Sequence, residues 1–228
     1  ACNGGITTET MSLSRKEQYS ISGRPKILRQ ALQCRSAREA VNLALENLTA
    51  APMGKPGMMF FVDAGNIYVI EGGSVNNQVA VQHVTDGAIS RSNHFLMLDH
   101  LNDEKALSPI CRQIRATELV EANLGKIDRE KLIEFSMDHR NGPYENSICV
   151  HSKDPEKPAT VSAAIMEIDA EKAEGSRISV ALGSPCWARS HPEGNITFRM
   201  DEDIAAIPGC FLDGSVYRGF FKDVAFER

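Results

Sequence analysis

No apolar run in this 228-residue chain approaches the roughly 20 residues that a membrane span requires. Basic residues are in the minority, with 25 Lys and Arg against 30 Asp and Glu and a net charge of −5. With a sequence pI near 5.7, the chain lacks the basic footprint of a nucleic-acid partner. The six cysteines, Cys2, Cys34, Cys111, Cys149, Cys186 and Cys210, form no Cys-x-x-Cys, and no Cys/His spacing suits zinc, so no metal site is expected. So dilute a count in a chain this long argues against a disulfide framework. It points to small buried thiols in a reducing, cytoplasmic setting. The six histidines are scattered without a His-x-x-x-His. Gly72-Gly73-Ser74 lacks the Lys-Ser/Thr of a phosphate loop. Glu9, Asp63, Glu71, Asp99 and Asp138 have no spacing that singles out a carboxylate pair. There is no signal-peptide n-region and h-region. The chain starts inside what reads as a strand, as removal of a leader would leave it.

Repeats, low-complexity segments and dividing linkers are also missing, and the length suits one domain over residues 1–228. Residues 4–12 read as a strand and 14–22 as a polar loop. From Gly23 to Gln33 the apolar Ile27, Leu28, Ala31 and Leu32 fall at helical spacing, with Pro25 in the first turn. Ser36-x-x-Glu39 is a capping-box pattern that opens a second helix with Ala40, Val41, Ala44, Leu45 and Leu48 inward. A Pro/Gly-rich connection over 50–57 leads to a β block over 58–92, with Asp-Ala-Gly-Asn and Gly-Gly-Ser turns marking hairpins. A polar loop over 100–105 follows. A third helix starts at Ser108-Pro109, turns Ile110, Ile114, Thr117, Val120 and Leu124 inward, and stops at Gly125. Asp128 opens a fourth, and 138–146 is a loop. Strands are expected over 147–151, 159–168 and 176–183, the middle one with apolar residues on both faces, as between two layers. The last 30 residues are uninformative. Strands alternating in blocks with helix pairs give an α+β architecture.

The most informative stretch is Arg91-Ser92-Asn93-His94-Phe95-Leu96, polar where the surroundings say strand. At a strand end, Asn93 would aim a hydrogen-bond donor into a site. His94 would point to the opposite face, which makes it structural. Asp138-His139-Arg140-Asn141-Gly142-Pro143, Asn146-Ser147-Ile148-Cys149 and Gly183-Ser184-Pro185-Cys186 follow in order. Upstream stand Asn3-Gly4-Gly5-Ile6-Thr7, Gly23 to Arg29, and Ser36 to Ala40.

In this order, from Asn3 to about Met200, these segments resemble the penicillin acyltransferase-like family, linear-amide hydrolases related to the choloylglycine hydrolases. All are N-terminal-nucleophile (Ntn) enzymes. The resemblance implies a four-layer αββα Ntn-hydrolase sandwich, incomplete at the N-terminus. It implies a cysteine amidohydrolase or acyltransferase that acts on a linear amide through a thioester, after autoprocessing, with no cofactor. Removal of Ala1 would make Cys2 N-terminal, with its α-amino group, of pKa near 8, as base. Asn93 matches the residue that relatives place near the scissile carbonyl as oxyanion donor, and Asn3 an Asn facing the same pocket. The catalytic set is therefore Cys2, Asn3 and Asn93.

Two departures from the family pattern stand out. Cys2 is followed by Asn-Gly-Gly rather than Thr or Ser, and the match at Asn3 falls downstream of the nucleophile in relatives. The nucleophile is then Cys2 or belongs to a segment outside this sequence. Val150 occupies a position where many relatives carry Arg, which leaves the substrate class open. Cys149 reads as a strand-interior packing residue and Cys186 as a loop-end thiol. Cys149/His139 and Cys186/His191 are the alternative nucleophile pairs. The partners implied are a small-molecule amide or acyl donor, a second chain carrying the N-terminal segment, and further copies in a homo-oligomer, with no nucleic acid and no membrane. The alternative function is a catalytically silent Ntn-fold protein that binds a small molecule.

Overall fold

Ser36-x-x-Glu39 behaves as its pattern demands. The Glu39 N–H donates to Ser36 Oγ (3.2 Å), and the Glu39 carboxylate accepts from the Arg35 N–H (2.8 Å). In this computed structural model they open helix α2, Ala37–Ala50, which follows α1, Gly23–Ala31. The structure describes residues 23–50, 57–72, 78–103, 106–142, 146–151, 159–199 and 215. The strand expected over 4–12, the polar loop over 14–22, most of the 50–57 connection and the Gly-Gly-Ser turn lie outside them, as do Cys2 and Asn3. No helix among the described residues is long and apolar enough to cross a membrane. The chain divides into two compact units, Ile6–Ala106 and a second that includes Leu107–Arg228.

In the first unit, β1 (Gly57–Val62), β2 (Ile67–Gly72) and β3 (Val79–Val84) form an antiparallel sheet in the order β1-β2-β3. The register sets Phe61 opposite Tyr68 and Ile70 opposite Val81. Met59, Phe61, Tyr68 and Ile70 pack against Ala37, Ala40, Val41, Ala44 and Leu48 of α2 and Ile27 of α1. The inward face expected of α2 is present, with Leu45 half-buried at its edge. Leu32 differs: α1 ends at Ala31, so the residue leaves the helical period and is 87% exposed. Val69 and Glu71, alternating to the other face of β2, are fully buried too.

The expected strand over 85–92 is absent. Residues 85–92 join no ladder, and just beyond them the Glu71 carboxylate collects the backbone N–H groups of Leu96 (3.0 Å), Met97 (2.8 Å) and Leu98 (3.0 Å). Those donors are thereby withdrawn from a ladder.

The second unit has helices α3 (Leu107–Ala122) and α4 (Arg129–Ser136), then an antiparallel sheet β4-β5-β6 (Ser162–Glu167, Arg177–Leu182, Asn195–Arg199), with α5 (Pro185–Ser190) between β5 and β6. Asp128 caps α4 by accepting from the Lys131 N–H (2.8 Å). Leu132 and Phe135 of α4 pack on Ile165 of β4, flanked by Leu119 and Ile127. Gly125, at φ +76°, ends the turn after α3, as expected of a helix stop.

Two sequence expectations fail in this unit, and one strand was not expected. Ile114 and Leu124 are exposed, while Gln113 is buried, its amide donating to Thr117 Oγ1 (3.2 Å). That internal hydrogen bond lets a polar residue take the covered face. Residues 147–151 form no strand: the Cys149 N–H donates to Asp138 O, and Val150 and Thr160 exchange backbone and hydroxyl hydrogen bonds. β6 lies after the last expected strand, where no element was expected, although Asn-Ile-Thr-Phe-Arg alternates as a strand should. The architecture is thus mixed α+β with two small antiparallel sheets.

Candidate functional site

Three separate segments of the second unit bring chemically competent side chains together. The first is the loop after α4. Asp138 is anchored by Arg115, whose Nη2 and Nε donate to Asp138 Oδ2 at 2.7 and 3.0 Å. Burial raises the Asp138 carboxyl, but the Arg115 contact and the Arg140 N–H outweigh it, and its pKa lies below the ordinary value. His139 follows directly and is half-buried. The second segment is 146–151. Ser147 and Cys149 are fully buried there. Ser147 Oγ donates to Gly142 O, and the Cys149 N–H to Asp138 O (3.1 Å), so this segment is stitched to the first. The same segment brings His151 beside Cys149.

The third segment leaves β5. Gly183 adopts φ +93°, a conformation that favours glycine, and its N–H donates to Val161 O (2.8 Å). Pro185 then starts α5, its ring fixing the first helical φ. Cys186 is thereby delivered to the other two segments. Its Sγ lies 3.0 Å from His151 Nε2, 3.7 Å from Cys149 Sγ and 3.5 Å from Ser184 Oγ. Cys149 Sγ is also 3.5 Å from His151 Nε2. The His139 and His151 rings face each other at 4.9 Å and 55°. One donor atom from each of His139, Cys149, His151 and Cys186 lies within 4.8 Å of every other.

The electrostatics follow from this crowding. The Cys149 thiol donates to Cys186, which pulls the Cys186 thiol well below its ordinary range, against the opposing effect of burial; His151 and Ser184 add to the pull. Cys149 is pushed up by the same hydrogen bond and by its burial. His151 is raised, chiefly by its contact with the Cys186 thiolate, although burial opposes this. The shifts favour proton transfer from Cys186 toward His151, with a second thiol and the His139 ring beside them. A thiolate–imidazolium pair alone is a nucleophile. Two thiols and two imidazoles converging are the donor set of a transition-metal site.

Of the two pairs expected from sequence, Cys149 and His139 do converge, their donor atoms within 4.8 Å, and the other pair changes. Cys186 meets His151, not His191. His191 stacks on Trp187 (4.1 Å, 11°) and its Nδ1 donates to Trp187 O (2.9 Å). Cys149 is buried as expected but lies beside sulfur and imidazole rather than inside a strand. Cys186 stands in the first turn of a helix rather than at a loop end. The expectation that no Cys/His spacing suits a metal missed this cluster, because its members come from three segments with no motif in common.

Of the predicted catalytic residues, Asn93 is half-buried in a bend of the first unit. It sits within the segment that Glu71 gathers, and Ser92 Oγ of that segment accepts from the His94 N–H (3.1 Å). Cys2 and Asn3 lie outside the described residues. No protein-family model matches the chain, and no curated protein matches it.

Proposed function

We propose that the chain is a cysteine Ntn amidohydrolase or acyltransferase acting on a linear amide. One observation carries this reading. The segments Asp138 to Gly142, Asn146 to Cys149 and Gly183 to Cys186, which carry the resemblance at scattered places in the sequence, meet in a single hydrogen-bonded cluster. Chance motif matches have no reason to converge. The mixed α+β composition with two antiparallel sheets is what the four-layer sandwich of this proposal would contain.

In this reading Cys2, freed by removal of Ala1, is the nucleophile. Its thiol proton passes to its own α-amino group, and sulfur attacks the acyl carbonyl. The Asn93 amide donates to the oxyanion. Collapse expels the amine, which takes the proton, and leaves a thioester. Water or an acceptor amine then takes the acyl group and restores the thiol.

The test is mass spectrometry of the purified protein after trapping with a panel of N-acyl amides. An acyl adduct on Cys2 is expected, and Asn93→Ala should lower kcat by on the order of 100-fold. An adduct on a co-purifying chain would keep the activity and remove Cys2 from it. Retention of an amide without turnover or adduct would replace the enzyme with the silent Ntn-fold binding protein.

A further inference from the structure

We propose that His139, Cys149, His151 and Cys186 form a closed, tetrahedral site for a zinc-class divalent cation that cross-links the three segments of the second unit. The inference stands whether or not the chain hydrolyses amides, because none of these four residues belongs to the catalytic set above.

Three observations converge on it. The first is distance. An ion with Zn–S near 2.3 Å and Zn–N near 2.05 Å at tetrahedral angles places its two sulfurs about 3.8 Å apart, and each sulfur about 3.5 Å from a nitrogen. The Cys149 and Cys186 sulfurs are 3.7 Å apart, and Cys149 Sγ is 3.5 Å from His151 Nε2. Two of the tetrahedron's edges are therefore already at their metal-bound lengths. Cys186 Sγ and His151 Nε2, at 3.0 Å, are drawn closer by their own hydrogen bond. Binding would replace that proton and open the edge by about half an ångström.

The second observation is an orphan. Nε2 of His139 is buried and has no hydrogen-bond partner among the described residues. A buried polar nitrogen left so is costly, and the great majority find a partner. Coordination in the cluster settles the ring. The third is the support around the donors. Arg115 fixes Asp138, which carries His139 and accepts from the Cys149 N–H. Val150 and Thr160 fix the chain between Cys149 and His151. Ser184 Oγ touches Cys186 Sγ. Outer groups of this kind orient metal ligands. A nucleophile dyad would need neither the second thiol nor the second imidazole.

The donor set names the ion. Two thiolates and two imidazoles in a tetrahedron suit Zn²⁺, and the two negative charges neutralise it. Four protein ligands leave no open coordination position, so the role is structural: the ion would hold 139–151 against Cys186.

The test uses the full chain, stripped with a chelator and titrated with Co²⁺, whose d–d bands report tetrahedral coordination and whose ultraviolet charge-transfer band reports thiolate ligation. One equivalent should bind with both signatures, and zinc should displace it. Cys149→Ser and Cys186→Ser should each weaken binding by at least about 100-fold, the upper end of what loss of an outer-shell partner costs. Cys34→Ser, in the other unit, should bind as wild type does. Should the ligand variants fail to fold, alkylation of the wild type decides: zinc should shield Cys149 and Cys186 from iodoacetamide while Cys34 and Cys111 react. Cobalt that binds without the thiolate band, binding that survives in the ligand variants, or alkylation of Cys149 and Cys186 at an unchanged rate with zinc would each overturn the proposal.

Discussion

Glu71 is fully buried, yet its carboxylate accepts several hydrogen bonds. Three successive backbone N–H groups, from Leu96 to Leu98, and the Arg91 Nε (3.4 Å) all donate to it. Arg91, itself pulled below its ordinary pKa by burial, also reaches Gln82 and Ser90 O. The polar stretch that breaks the strand pattern therefore does structural duty. Arg91 serves Glu71, and Asn102 clamps both the N–H and the carbonyl of the buried Phe95. Removing one partner of such a pair strands the other charge. Glu71→Ala should cost about 3–5 kcal/mol, and Glu71→Gln, which keeps part of the acceptor set, about 1.5–3 kcal/mol. Urea unfolding would measure both, and a loss below about 1 kcal/mol for Glu71→Ala would refute the role. If Asn93 is catalytic, Glu71 is what holds its loop in place, so Glu71→Gln should also lower turnover.

Among the elements, the β1–β2 turn and helix α2 are tied by one side chain. Asp63 Oδ2 accepts from the Ala37 N–H at the start of α2 (2.9 Å), while Oδ1 accepts from the Gly65 N–H (3.0 Å) and Asn66 Nδ2 (2.9 Å). Burial raises this carboxyl, but the hydrogen bonds from the Asn66 side chain and from the Ala37, Gly65 and Asn66 backbone N–H groups outweigh it, and its pKa falls below the ordinary value. The unfolded chain then takes up the proton more readily than the folded one. The stabilisation is complete above the unfolded pKa of about 3.9 and fades as pH drops through the lower folded value. The stability difference between wild type and Asp63→Asn should thus be flat from neutral pH to about 5 and shrink below about 4. A difference that stays constant down to pH 3 would show that the charge is not what ties the turn to the helix.

Legibility also varied by element. Helix α2 could be read because its cap and its apolar face lie within 15 consecutive residues, Ser36 to Ala50. The 147–151 stretch could not, because Asp138 and Thr160, which take its hydrogen bonds, are named by no local pattern. At β6 the alternation was present in the sequence, and only its neighbours hid it.

For the whole molecule, charge gives a direct expectation. With a net charge of −5 the chain should pass through immobilised heparin at physiological ionic strength, since the polyanion finds no counter-charge to release. Retention that weakens with salt would reveal a basic patch that the total conceals. Composition, charge, the helix starts and the β1–β2 hairpin were settled by the chain alone, because each depends on residues a few positions apart. The order of the motifs was there too, and with it the resemblance. Tertiary structure alone decided that His139, Cys149, His151 and Cys186 would meet. Their spacing matches no metal motif, and what joins them is Asp138 held by Arg115, Cys149 bonded to the Asp138 backbone, and a left-handed Gly183 that turns Cys186 inward. Contacts of that range are set by packing and hydrogen bonding between segments, and no window of sequence contains them.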